Sequence, residues 1–294
     1  MMSYVFPQQR VHNPHAGALR PPPLPLPGSV IGTLGNVAPS PLNPAPLLPG
    51  LRPMESQRIE QGAWFAGLSA GLRAAILAEA RVQHVKRGTR LLERGSVATD
   101  WVGVASGAMG LSTSWRDGRA FTMELLGPGD WYGDIALVDH SPVDLDIVAQ
   151  VQSTVLLVPL DSLQRLMSSQ PELRHALLQL DCRRLRHMFR RLEELQTLPL
   201  SQRVAIKLQR LLKQFGRPPV MGVVPTQARL IELSLTQGDL AALLCASRQR
   251  INGVLRQLQA LGVLGGSHGR IEVLLPQKLA DVASGKLVLD TSGA

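Results

Sequence analysis

The stretch LTQGDLAALLCASRQRINGVLRQLQALGVL, Leu235 to Leu264, constrains the fold more tightly than any other part of the chain. Thr236 with Asp239 three residues on has the form of a capping box, in which each side chain answers the other residue's backbone N–H and so starts a helix. Leu240, Leu243 and Leu244 give that helix a buried stripe. After a turn of three to four residues, Ser247 is placed to cap a second helix whose buried face is Ile251, Val254, Leu255 and Leu258. The opposite face carries Arg248, Gln249, Asn252 and Arg256. These residue types pair with base edges and phosphates, and they gather where a recognition helix enters the major groove. A small hairpin follows, VL and RIEVLL on either side of Gly265-Gly266-Ser267-His268-Gly269, which reads as a wing. Thr236 and Gln237 at the first helix, and His268 and Arg270 in the wing, complete the residues expected at DNA.

Charge is distributed in the same sense. Residues 199 to 294 hold twelve Lys/Arg against five Asp/Glu, whereas residues 54 to 170 hold ten against thirteen. A basic C-terminal end beside an acidic middle suggests a polyanionic partner, although a solvated basic face has the same composition. Two cysteines, Cys182 and Cys245, are too few and too far apart for a disulfide framework or a four-ligand metal or iron–sulfur site, so the chain reads as a protein of a reducing compartment; no cofactor is expected. There is neither a long apolar run nor a signal peptide, so no membrane is expected and the expected location is the cytoplasm.

The rest of the chain divides by its periodicity. Residues 1 to 53 hold thirteen of the 22 prolines and no hydrophobic period, which predicts a disordered or polyproline-like extension. An SH3-type ligand is one use for it; sequence upstream of a start at Met54 is another account. Gly62 to Ala80 places Leu68, Leu72, Ile76 and Leu77 on one helical stripe. Short alternating runs then fall between turn signals at Gly88, Gly95, Gly107, Asp117-Gly118 and Gly127-Pro128-Gly129-Asp130, the rhythm of an antiparallel sandwich or barrel, closed by STVLLVPL from Ser153 to Leu160. Between Pro171 and Leu198 the period changes. Leu178, Leu185 and Leu192 recur every seven residues, with Met188 and Leu195 offset by three, and Asp181 weakens the same seam. Packing on its own barrel is one use for this stripe; a parallel homodimer helix is the better one.

These motifs resemble the Crp/Fnr family of bacterial transcription regulators. The resemblance is carried by KRGTRLLERG (Lys86 to Gly95), SGAM (Ser106 to Met109), DGR (Asp117 to Arg119), LLGPGDWYGDIAL (Leu125 to Leu137), SRQRIN (Ser247 to Asn252) and GRIEV (Gly269 to Val273), in order along residues 54 to 285. It implies an α+β protein: an antiparallel jelly-roll sensor of the cyclic-nucleotide-binding type over 54 to 170, a dimerisation helix over 171 to 198, a winged helix-turn-helix over 199 to 285, and a tail over 286 to 294. It implies as partners double-stranded DNA with a palindromic operator, a second copy of the chain, RNA polymerase and a small-molecule effector. Ser247 would hold a phosphate and Arg248 would pair with guanine. Gln249 stands where many members have glutamate, which favours adenine over cytosine and a different half-site. Cys245 replaces the usual turn glycine, and a left-handed conformation there would cost of order 1 kcal/mol.

The stretch GDWYGDIALVDHSPVDLDIVAQ, Gly129 to Gln150, is the place of the family's phosphate cassette. Members that bind cyclic nucleotides have a glutamate just after the glycine for the ribose 2′-OH and an Arg-Ser pair for the phosphate. Here Gly133 is kept, Asp134 replaces the glutamate, and Val143-Asp144 replaces the pair, with Ile135 and Ala136 between and Asp146 just beyond. A charge-assisted arginine–phosphate contact contributes about 1.5–3 kcal/mol, and added carboxylates subtract further. The expected effector is therefore neither cyclic AMP nor cyclic GMP. The segment RHMFRR, Arg186 to Arg191, also lacks the hydroxyl pair that contacts the base in such members. The N-terminal cysteine cluster of the oxygen-sensing branch is missing, and His84 and His140 are too few for a jelly-roll metalloenzyme and suited to ordinary surface positions as well as to haem ligation. Two alternatives stay open: a cyclic-nucleotide-responsive regulator with a divergent pocket, and a protein-interaction module whose helix-turn-helix reads no DNA.

Overall fold

The computed structural model describes residues 48–114, 120–217, 228–231, 233, 235–266 and 270–289. Of the expected elements, the Pro-rich extension up to residue 47, the DGR turn and the wing tip with His268 lie outside the described residues.

The chain enters through α1 (Pro53–Glu60), a 3-10 turn at Phe65–Gly67 and α2 (Ala70–Glu79). The stripe read over Gly62 to Ala80 is thus broken before Ser69, whose hydroxyl accepts the Leu72 N–H at 3.2 Å and caps α2. Eight strands follow: β1 (Arg81–Val85), β2 (Arg90–Leu92), β3 (Asp100–Ser106), β4 (Met109–Ser114), β5 (Ala120–Leu126), β6 (Trp131–Tyr132), then α3 (Asp134–Asp139), β7 (Asp146–Ala149) and β8 (Ser153–Pro159). They form two four-stranded sheets of order β1-β8-β3-β6 and β2-β7-β4-β5, antiparallel at every pairing, as in a jelly roll. Their inner faces bury Trp101, Met109, Leu111, Ile147 and Leu156. Trp64, Phe65, Trp101 and Trp131 pack edge-to-face and stacked at one end of this core.

Helix α4 (Leu160–Ser169) leads into α5 (Pro171–Thr197). Its start is anchored to the sensor twice. The Trp64 indole N–H donates to the Ala176 carbonyl at 2.9 Å, and the Glu172 carboxylate accepts from both the Ser69 N–H and its hydroxyl. The C-terminal unit consists of α6 (Leu200–Phe215), β9 (Gly216–Arg217), β10 (Arg229–Ile231), α7 (Gln237–Leu244), α8 (Arg248–Ala260), β11 (Leu264–Gly265), β12 (Ile271–Val273) and α9 (Pro276–Ala283). Its sheet runs β11-β12-β10-β9, so the expected wing hairpin is joined by two strands the sequence pattern did not reveal. Leu287 and Leu289 pack into this core. Among the described residues no helix is long and apolar enough to cross a membrane.

Candidate functional site

Helices α7 and α8 form as their capping residues dictate. The Thr236 hydroxyl accepts the Asp239 N–H at 3.1 Å while Asp239 accepts the Thr236 N–H at 2.7 Å. Ser247 accepts the Arg250 N–H at 3.3 Å, which leaves its hydroxyl proton free to donate. Between the helices Cys245 adopts φ 50°, the left-handed conformation usually left to glycine, with its side chain exposed. Leu240, Leu243, Leu244, Ile251, Val254 and Leu258 are buried, as their spacing requires.

On the outer side Arg248, Gln249 and Arg256 are exposed and Asn252 is half-buried. Asn252 accepts from the Gln237 amide at 3.0 Å, a bridge that fixes α7 against α8. The Arg248 guanidinium lies over Gly238, where an added Cβ would come within 2.8 Å of Nη2. Arg270 is exposed beyond the wing loop. Thr236 is committed to its cap, since its hydroxyl also donates to the Asp239 carboxylate at 2.8 Å.

Helix α5 has two faces of opposite character. Leu178, Leu185, Met188, Leu192 and Leu195 are 40% to 62% exposed, and Phe189, which the seven-residue spacing missed, is 60% exposed beside them. The other face is a polar row held on its own protomer. Arg184 reaches the sensor cassette, His187 and Arg191 reach Glu124 of β5 at 3.2 and 3.3 Å, and Glu194 pairs with Arg210 of α6. Asp181, read as a weak point in the apolar seam, turns instead toward Arg184 at 2.8 Å.

Glu124 is the hub between the two units. Besides His187 and Arg191 it receives the Lys207 ammonium of α6 at 2.5 Å. Burial alone would raise its pKa, but the His187 hydrogen bond and the Lys207 and Arg191 charges outweigh that and hold the carboxyl well below the usual range. Burial lowers Lys207 in turn, against the pull of Glu124. Arg191 also donates to the Leu243 carbonyl at 3.3 Å and Arg203 to the Leu244 carbonyl at 3.0 Å, so the last turn of α7 is tied to α5 and α6. No periodicity marks these residues, and their pairing was not legible before the fold.

Gly133 turns the chain from β6 into α3 at φ 103°, a conformation that favours glycine. Asp134 follows and is buried. Val143 is buried in the sensor core, and its backbone pairs with Gly95 and Ser96; Ile135 and Asp144 are exposed and Ala136 is half-buried. A cation is nevertheless present, supplied from α5. Arg184 Nη1 donates to both Asp134 oxygens at 2.9 and 2.7 Å and to Asp181 at 2.8 Å, its Nη2 donates to the Trp131 carbonyl, and its guanidinium lies 5.2 Å from the Tyr132 ring centre. Asp146, expected among the cassette acids, is taken up elsewhere: it accepts the Arg94 N–H at 2.9 Å and faces Arg90 at 3.8 Å. His84 meets Thr154 at 3.1 Å and His140 ends α3, so neither stands in a cluster. No group of three or more metal-ligating side chains occurs among the described residues.

A jelly-roll sensor, a long helix with a free apolar face and a winged helix-turn-helix define a class of one-chain transcription regulators. Residues 82–170 match the model of the cyclic nucleotide-binding domain and residues 202–282 that of the Crp-like helix-turn-helix domain, together more than half of the chain. The chain belongs to the Crp/Fnr family and is a DNA-binding transcription regulator of that type. It is 25% identical over 191 residues to the CRP-like cAMP-activated global transcriptional regulator of Mycobacterium tuberculosis, covering 65% of this chain and 83% of the relative. With the cyclic AMP receptor protein of Thermus thermophilus it shares 29% over 199 residues, 68% of this chain and 86% of the relative. Among solved structures, a CRP/FNR-family transcriptional regulator from Thermus thermophilus superposes with a TM-score of 0.58 at 24% identity, covering 69% of this chain and 98% of the other. The c-di-GMP responsive global regulator CLP from Xanthomonas campestris does so with 0.57 at 23%, covering 70% and 99%. The mycobacterial relative and the Thermus structure are transcriptional regulators by name, and the two structures, each under 25% identical, show likeness of fold.

Proposed function

We propose that the chain acts as a homodimer that reads a palindromic operator through α8, without cyclic AMP or cyclic GMP as its effector. The observation that carries the reading is the opposition of faces on α8: Ile251, Val254 and Leu258 are buried and Leu255 is half-buried, while Arg248, Gln249 and Arg256 are exposed. Arg248 pairs with guanine in this reading, Gln249 and Asn252 favour adenine, Ser247 and Arg256 take phosphates, and Thr236 and Gln237 border the backbone at the start of α7. Arg270 and His268 of the wing contact the adjacent backbone. The unpartnered seam on α5 supports pairing with a second copy, which sets two recognition helices about one DNA turn, roughly 34 Å, apart. RNA polymerase is the further partner in this reading.

The test is selection of DNA by the purified full-length protein, followed by Arg248→Ala. Loss of about 1–3 kcal/mol on the selected site, with relaxed selectivity at one base pair, is expected. Equal loss on selected and random DNA would sink the role given to Arg248. The names of the mycobacterial and Thermus relatives favour a second reading, activation by cyclic AMP. Against it stand the buried Val143 and the Asp134–Arg184 pair. Calorimetric titration with cyclic AMP and cyclic GMP separates the two, since micromolar binding of either nucleotide belongs only to the second.

A further inference from the structure

The groups around the Arg184 guanidinium share one property. Asp134, 1% exposed, and Asp181 are carboxylates, Trp131 offers a carbonyl oxygen, and Tyr132 turns the face of its ring toward the cation. Each is an acceptor or a region of negative potential, arranged around a planar group that carries only donors. Exposed Asp144 adds negative charge beside Tyr132. Such a box repels a phosphate and selects a flat cation with several N–H groups over a compact ammonium.

We propose that the effector cassette of this chain is a guanidinium-binding site whose resident occupant is Arg184 of its own α5. The inference deepens the sensor half of the proposed function and rests on the reading that no cyclic nucleotide enters the cassette. It explains how a cassette without a phosphate-binding cation stays folded: a buried Asp134 needs a counter-charge, and the helix supplies one. It also makes the link between sensor and long helix intrinsic to the chain, because the occupant belongs to the same helix that carries the exposed apolar seam. The class of outside ligand that fits the box once emptied is a small guanidinium compound.

The test is chemical rescue of full-length Arg184→Ala, read as Tm against millimolar methylguanidinium, with methylammonium and sodium chloride as controls. A saturable rise in Tm is expected for Arg184→Ala with methylguanidinium, a smaller one with methylammonium, and none for the native protein or for Arg184→Ala combined with Asp134→Asn. An equal response of native and variant proteins, or a rescue that survives Asp134→Asn, would overturn the proposal. If Arg184→Ala does not fold, Arg184→Lys decides. Its single ammonium can replace Nη1 between Asp134 and Asp181 but cannot also supply the Nη2 contact to the Trp131 carbonyl, so a lowered Tm is expected and a native Tm would overturn the assignment. Nucleotide binding by the native protein would remove the underlying reading instead, a result distinct from failed rescue.

Discussion

Gly238 stands in the first turn of α7 beneath the Arg248 guanidinium, and the two residues set each other's freedom. Gly238→Ala should stabilise the domain by about 0.4–1 kcal/mol, because glycine in a helix costs backbone entropy. The same methyl group intrudes on Arg248, so selectivity at the base read by Arg248 should change while Tm rises; thermal melting and competition binding measure the two effects. Glu124 is the second residue on which much depends. Glu124→Gln leaves Lys207, 4% exposed, without its counter-charge, and about 3–5 kcal/mol should be lost in a denaturant melt. The carboxyl of Glu124 is held below its unfolded value, so its contribution is complete above the unfolded pKa of about 4.3 and is lost as pH falls below it. Asp181 runs the other way. Burial and the Asp134 charge raise it to about 6, against Arg184, so the stability it contributes is present at low pH and is lost as pH rises from about 4 to about 6. Asp181→Asn should remove that decline from a plot of Tm against pH. Capping residues and turn glycines were legible in the sequence because each acts within a few residues of itself, whereas the left-handed turn at Cys245 was implied only by the family resemblance. Glu124, Lys207 and Arg184 were not legible, because their partners lie 83 and 50 residues away.

At the scale of the element, α5 decides most. Its heptad spacing was visible, and the residues that carry it are the exposed ones. What the spacing could not show was the opposite face, where arginines, a histidine and a glutamate are tied to the sensor and to α6. That fixing orients the apolar seam outward. Leu185→Lys should therefore abolish dimerisation in sedimentation equilibrium and leave the circular dichroism spectrum unchanged, since Leu185 has little to lose within its own protomer. Unchanged dimerisation would move the interface elsewhere. The wing sheet illustrates the reverse limit. Strands of two and three residues, such as β9 and β10, are too short for any alternation to register, and only their pairing within the sheet defines them.

Across the whole molecule, sensor and DNA-binding unit are joined through Glu124 and through Gln214 of α6, which donates to the Leu125 carbonyl at 3.1 Å and to Asp130 at 2.7 Å. Leu125 and Ala108 of the sensor belong to the same buried cluster as the helix-turn-helix. In the cassette Arg184 pairs with Asp134 at 2.7 Å, and on the proposed reading this pair leaves an added nucleotide no phosphate site. The order of units and their class were legible from motifs in sequence; Arg184 as the partner of Asp134 was not, because it lies 50 residues away on another helix. The most direct measurement is the affinity of the full-length protein for its selected palindrome, by fluorescence anisotropy, with and without saturating cyclic AMP. Tight, sequence-specific binding that the nucleotide leaves unchanged is expected. A gain of about tenfold or more on adding it, equivalent to about 1.4 kcal/mol, would contradict a regulator whose cassette is closed to nucleotides.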